Sequence, residues 1–385
     1  MEFKVDKKKS LTIIIYSNLS IGGGGRETWL SNFVNAPEII RHFERISVLN
    51  ALSVNESGSK IKFPTTVQHK EIDVTSYGGL KRILKFSQFC RKHMKEERNS
   101  SNHYVFSIGT FIDNIAGYYA CFGSKCIKGT WIRGILEKEL AQRHSKNMLS
   151  VIRGLEVFLL KSSVLVISNG QDTADFYKLK GIESTVINNG IYLDKFTQRQ
   201  HGDPVIIGFI GRLNLEKGID FFIKSLSSVI GVKNLKVIIA GDGSQRSALI
   251  ETIERLKGKV NIQYLGVVDN DKIPALLASL DISIHLTGTG LLGGGGVSHS
   301  LVEAMASGNR IICWENAIYN QVCGSSKFYK AQENNLDSLN KVMKAAIENA
   351  VKEKQPDTAM IEAVKKYSFQ HHVESFLNLI SPPKR

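Results

Sequence analysis

Short apolar runs alternate along this chain with longer stretches in which apolar residues recur every three or four positions. The first run, residues 11–16, is almost continuously apolar, the pattern of a parallel strand buried on both faces. It passes through Ser17 to Ile21 into four glycines, Gly22 to Gly25. Residues 26–34 then carry Trp29, Leu30 and Phe33 at helical spacing. The same reading predicts strands over 46–49, 104–108, 164–168 and 184–187, and helices over 80–94, 151–160 and 173–180. Residues 197–204 turn polar and end on Gly202-Asp203-Pro204, a junction signal. A second series follows, with strands over 205–210, 235–240, 261–265, 282–286 and 310–314. Helices are expected over 218–229, 247–256, 273–280, 300–307, 336–352 and 358–367. A last helix, 370–380, aligns Val373, Phe376, Leu377 and Ile380 on one stripe. Such alternation predicts an α/β protein with mostly parallel sheets. The expected organisation is a domain over 1–200, a second over 201–368, and a terminal helical segment over 369–385.

Composition narrows the classes. With 385 residues, 42% hydrophobic and 22% charged, the chain reads as an ordinary globular protein of two domains. No apolar stretch reaches the roughly 18 residues a spanning helix requires, and the charged start Met1 to Ser10 does not read as a signal peptide. Cys90, Cys121, Cys126, Cys313 and Cys323 show no zinc-like pairing and fit a reducing compartment, so the expected location is cytoplasmic. The net charge of +14 is concentrated early: residues 1–200 hold 29 Lys and Arg against 18 Asp and Glu, the remainder 21 against 18. A basic first half suits an anionic substrate or an acidic lipid surface. Its cations do not interleave with aromatic residues as a nucleic-acid module would require, so no nucleic-acid partner is expected.

The chemistry concentrates in two blocks. Residues 208–218 read Gly-Phe-Ile-Gly-Arg-Leu-Asn-Leu-Glu-Lys-Gly, so Arg212 and Lys217 leave the C-terminal end of a predicted strand, the edge at which open α/β sheets bind ligands. Two cations there suit a phosphate group, although they could also form a solvated pair with Glu216. Residues 296–308, Gly-Val-Ser-His-Ser-Leu-Val-Glu-Ala-Met-Ala-Ser-Gly, form a small-residue turn into a helix. Ser298 and Ser300 are good caps, and first-turn amides attract an anion. Glu303, a poor phosphate ligand, would instead accept hydrogen bonds from hydroxyls. Gly22 to Gly25 lets backbone amides approach a ligand, but contiguous glycines are not the dinucleotide fingerprint. Gly241-Asp242-Gly243 reads equally well as a tight turn.

Taken with Ala240-Gly241-Asp242-Gly243 and the stretch Val186-Ile187-Asn188-Asn189-Gly190-Ile191-Tyr192-Leu193-Asp194 followed by Phe196, these blocks resemble the retaining GT-B glycosyltransferases of family 4 (glycosyl transferases group 1). The resemblance implies two Rossmann-like domains facing each other across a deep cleft, the first binding the acceptor and the second a nucleotide-diphosphate sugar, with the last helix crossing back to the first. It implies retaining transfer to a glycan, glycolipid or polysaccharide-precursor acceptor, without metal or other cofactor, the nucleotide sugar being the donor substrate. Arg212 and Lys217 would hold the diphosphate and Glu303 the ribose hydroxyls, these three making up the catalytic set. Gly22, Gly23, Gly24, Gly25, Gly295, Gly296, Val297, Ser298, His299, Ser300 and Leu301 would line the donor site, and Tyr264 and Leu265 would border the base.

Two positions depart from the family pattern. Gly295 stands where a glutamate is usual, eight residues before Glu303. A first-domain histidine is also missing, and Lys128 or His144 would stand in for it. These departures keep open a catalytically impaired nucleotide-sugar-binding protein or partner subunit, and more remotely an epimerase of similar build. The basic stretch with Lys81, Arg82, Lys85, Arg91, Lys92 and Lys95 adds an expected peripheral contact with an anionic membrane, at the inner face of the cell membrane.

Overall fold

The computed structural model describes residues 9–19, 25–52, 61–140, 146–198, 202–289, 297–323, 328–353 and 358–381. Two compact units emerge. The first comprises the chain up to Asn188 together with His372 onward, the second Asn189 to His371.

The first unit holds seven strands: β1 Lys9–Ile15, β2 Phe43–Leu52, β3 Val67–Asp73, β4 His103–Ser107, β5 Ile127–Ile132, β6 Leu165–Ser168 and β7 Thr185–Val186. They form one sheet in the order β3-β2-β1-β4-β5-β6-β7, with every pairing parallel. Parallel neighbours require crossover helices that cover both faces, hence the unbroken burial of Leu11 to Ile15 in β1. The helix Phe369–Ile380 adds Phe376 to this unit's aromatic core, 5.1 Å from Phe33, 5.2 Å from Phe106 and 5.6 Å from Trp131 between ring centroids. His372 is fixed as well. Trp29 donates its indole N–H to His372 Nε2 at 2.8 Å, which leaves Nδ1 to donate to the Asn188 carbonyl at 2.6 Å.

The second unit holds β8 Val205–Ile210, β9 Leu235–Ala240, β10 Asn261–Tyr264, β11 Ile282–His285, β12 Arg310–Trp314 and β13 Tyr329–Ala331. Their order is β10-β9-β8-β11-β12-β13, again all parallel. Its core packs Phe209, Ile239, Ile284 and Ile312 from the sheet against Phe222, Met305 and Met343 from the helices. Gly208 is required inside β8: a Cβ there would lie 2.2 Å from Leu280 Cδ1.

Candidate functional site

Because every strand of the second sheet is parallel, every strand-to-helix connection leaves from one edge. The order reverses between β8 and β11, and such a switch point is where open α/β sheets form a crevice. Arg212 and Lys217 follow β8, and the segment leading to Ser298 follows β11. The two sequence blocks are therefore brought to the same switch point.

The loop after β8 is tightly framed. Gly211 N donates to the Ala240 carbonyl at 3.0 Å, Leu213 N to Asp242 O at 2.8 Å, and Gln245 N to Leu213 O at 2.8 Å. Asn214 Oδ1 accepts from the Ser244 amide at 2.9 Å. Gly218 takes φ 67°, ψ 21°, and a Cβ there would meet the Leu286 carbonyl at 2.4 Å, so this loop lies against the end of β11. Gly241, at φ 135°, backs directly onto Gly211, and its Cβ would fall 1.8 Å from that carbonyl oxygen. Backbone cannot yield as a flexible side chain can. Gly241→Ala is therefore expected to destabilise the second unit by more than about 4 kcal/mol, in the range of severe strain and overpacking. Thermal melting of the variant checks this, and a normal melting curve would mean the two loops are not in contact.

Within this frame the cations differ. Arg212 is exposed and pairs with Glu216 at 2.7 Å. Lys217 is half-buried, and its pKa is lowered by burial first and by Arg212 second, against the opposing pull of Glu216. Beneath them lies a residue the sequence reading missed: His285, the last residue of β11. Burial, then the charge on Lys217, pushes its pKa down to about 3, so its ring is neutral, with Nε2 2.9 Å from Ser283 Oγ. The signal in the sequence was a lone histidine in the predicted strand Ile-Ser-Ile-His-Leu, two residues after Ser283.

The helix His299–Ala306 opens on Ser298, whose Oγ accepts from the Leu301 amide at 3.4 Å. Asn189 Nδ2 donates to the Val297 carbonyl at 2.9 Å and so fixes the approach to that cap. The first-turn amides of His299 and Ser300 belong to the open N-terminal end, where a helix presents partial positive charge. Glu303 lies one turn further. Burial raises its carboxyl to about 7, so near neutral pH it is poised between acid and carboxylate. Tyr264 ends β10 with its hydroxyl donating to Gly241 O at 3.0 Å. Leu265, partly exposed, follows it and gives its amide to Ile239 O. Gly295 and Gly296, like Gly22, Gly23, Gly24 and His144, lie outside the described residues. Gly25 begins the helix Gly25–Asn35 of the first unit.

Lys128 is a correction. It lies inside β5 and is buried, donating to Leu159 O at 3.0 Å, Ser162 Oγ at 3.1 Å and Ser163 Oγ at 2.7 Å. A strand-interior lysine with three acceptors ties the sheet to the following helix and is not offered to a ligand. The residue that does follow β5 is Arg133. Its guanidinium stacks 5.0 Å from the Trp29 ring centre, and burial and then Arg26 lower its pKa to about 9. At the first sheet's own switch point, between β1 and β4, Arg26 lies 3.9 Å from Asp113, and Asp113 accepts the Tyr16 amide at 2.6 Å. Burial raises the Asp113 carboxyl despite Arg26. Sequence reading passed over Arg26, Asp113 and Arg133, which meet only through the strand order.

The sequence model of the family Glycosyl transferases group 1 matches residues 193–367, which covers the second unit's sheet. Among curated proteins, an uncharacterized glycosyltransferase of Methanocaldococcus jannaschii, MJ1607, is 32% identical over 82 residues. That alignment spans only 21% of this chain and 21% of that protein's length. Solved structures match far more completely. Sucrose-phosphate synthase from Thermosynechococcus elongatus superposes with a TM-score of 0.74 at 11% identity, covering 97% of this chain and 98% of its own. The Anabaena protein HepE, in complex with UDP-glucose, does so with a TM-score of 0.72 at 17% identity, covering 97% and 99%. Residues 193–367 thus carry a domain related to glycosyl transferases group 1, in a chain whose two parallel sheets have a GT-B-like fold.

Proposed function

We propose that the protein is a retaining glycosyltransferase of family 4 that moves a sugar from a nucleoside-diphosphate sugar to a glycan, glycolipid or polysaccharide-precursor acceptor. The observation that carries this reading is the pair Arg212 and Lys217 at the switch-point end of β8, within the domain that the family model matches. As the anomeric bond breaks, the leaving diphosphate gains charge, and fixed cations at that point lower the barrier most. The amides before Leu301 would receive the distal phosphate and Glu303 the ribose hydroxyls. The acceptor hydroxyl would bond to the anomeric carbon on the same face from which the diphosphate departs, the acceptor O–C1 bond forming as the C1–O bond to phosphate breaks, with the departing phosphate oxygen taking the acceptor's proton. The basic first unit would hold the acceptor. UDP-glucose bound to HepE supports a nucleotide sugar as the donor class.

Incubation with a panel of labelled nucleotide sugars, read out as nucleotide release and as the anomeric configuration of the product by NMR, tests the reading. Inverted product would overturn the stereochemistry. Donor binding without release would favour the second reading, an impaired binding subunit, which rests on Gly295 where the family usually has glutamate and on the family's first-domain histidine, for which neither the buried Lys128 nor any described residue offers a match.

The Arg212–Lys217 clamp would supply the charge that a metal otherwise provides. Transfer is therefore expected to persist in EDTA at nearly its full rate, and strict Mn²⁺ dependence in the same assay would overturn the clamp mechanism. Among the described residues no helix is long and apolar enough to cross a membrane. A cytoplasmic enzyme in peripheral contact with an anionic membrane completes the proposal.

A further inference from the structure

The basic helix read from the sequence, Gly79–His93, turns Phe86 and Cys90 into the core and leaves Leu80 and Leu84 exposed among its cations. Exposed apolar surface lies beside it. The helix Lys146–Lys161 carries Met148, Val151, Leu155 and Phe158 at spacings of three, four and three, on one stripe. All four face solvent, from 40% exposed at Leu155 to 72% at Val151. The stripe continues through Tyr118 of the helix Ile112–Cys121, whose ring lies 5.4 Å from Phe158 and 6.0 Å from Phe122, itself 62% exposed. Next to Phe122 comes positive charge. Arg91 stacks 5.2 Å from the Tyr119 ring centre and donates to the Tyr119 carbonyl at 2.7 Å, and Arg98 donates to the Phe122 carbonyl at 2.6 Å. Arg91, Lys92, Lys95 and Arg98, with Gln88 and Tyr119, line a groove of about 300 Å³.

Charge selects the occupant. The helix Gly79–His93 holds Lys81, Arg82, Lys85, Arg91 and Lys92 and no acid, and the helix of the apolar stripe adds Lys161 and an Arg153 paired with Glu137. Across the three helices the only acids are Asp113 and Glu156, both buried. A second copy would bring cations against cations, with Glu96 beside Lys95 as the exposed acid at the groove's edge and none on these helices to answer them. An apolar stripe flanked by cations is instead the arrangement of a helix lying in a lipid interface, with its apolar side among the acyl chains and its basic groups at anionic headgroups.

We infer that this face, with Val151, Leu155, Phe158 and Phe122 inserted and the Arg91–Arg98 groove at headgroup level, docks the first unit on an anionic lipid surface. This deepens the membrane part of the proposed function. It is tested by binding alone, so its failure and that of sugar transfer can be told apart. The full chain should co-sediment with phosphatidylcholine vesicles containing about 30% phosphatidylglycerol, and lose most of that binding between about 50 and 500 mM salt. Pure phosphatidylcholine vesicles should leave it in solution. Val151→Glu with Phe158→Glu, both at exposed positions, should weaken binding at least tenfold with an unchanged melting curve, and so should Lys92→Glu with Lys95→Glu. Neither double variant should alter hydrolysis of a soluble donor. Wild-type failure on anionic vesicles, or double variants that bind as well as the parent, would overturn the inference. A concentration-dependent dimer in light scattering that Val151→Glu with Phe158→Glu dissolves would assign the face to a second copy instead.

Discussion

Replacing either Arg212 or Lys217 by alanine is expected to cut sugar transfer about 100-fold or more, the loss that follows when a contact worth about 3 kcal/mol in the transition state is removed. The two variants should differ in stability. Arg212 is exposed and its pair with Glu216 is a surface ion pair, of a kind worth about 0–1 kcal/mol, so Arg212→Ala should melt almost as the parent does. Lys217 is held charged in a half-buried position beside a second cation, which lowers its pKa. A group whose folded pKa lies below its unfolded value weakens the fold while charged in both states, as here at neutral pH. Lys217→Met should therefore leave the melting temperature unchanged or raise it while activity collapses. Such an opposition separates a charge kept for chemistry from one kept for the fold. Normal turnover in both single variants would mean that the diphosphate binds elsewhere.

What the sequence could reveal depended on how locally each feature is determined. Strands β1, β8, β9 and β12 are legible because burial on both faces leaves nearly unbroken apolar runs. β3 was missed because it lies at the sheet's edge, and its sequence Val-Gln-His-Lys-Glu-Ile-Asp is mostly polar. β5 was missed for a different reason. Lys128 and Gly129 interrupt its apolar pattern, yet the lysine finds three acceptors, and the glycine is needed because a Cβ would meet the Phe106 ring at 2.3 Å. Neither partner is near in sequence. The pair proposed as a diphosphate clamp, Arg212 and Lys217, was legible because its two cations and their glycines share one loop. His285, Asp113 and Arg133 were not, since each gains its setting from strands brought together only by the sheet order.

Glu303 should make donor binding depend on pH and release protons. In the free protein its carboxyl titrates at about 7, raised by burial. A ribose diol donating to it would favour the carboxylate, so binding at pH 7 should release about half a proton, rising toward one near pH 6 and vanishing near pH 9. Calorimetry in buffers of different ionisation enthalpy measures that number directly. Affinity should weaken below pH 7 by up to about tenfold per unit. Glu303→Gln should remove the proton release and weaken binding about 10- to 100-fold at pH 8, with little effect at pH 5.5, where the parent is itself neutral. Stability should move the opposite way. Between about 4.5 and 7 the folded carboxyl holds a proton that the unfolded chain has lost, so the free protein loses stability as pH rises through that window. His285, neutral when folded down to about 3, contributes in the reverse sense and costs stability as pH falls below about 6.5. At pH 8 the Glu303 penalty is in full force while that of His285 has gone, and Glu303→Gln should then raise the melting temperature by a few degrees, about 2–4 °C per kcal/mol in a unit of this size. A variant that binds the donor as the parent does at pH 8, with the same proton release, would show that the ribose hydroxyls do not meet Glu303.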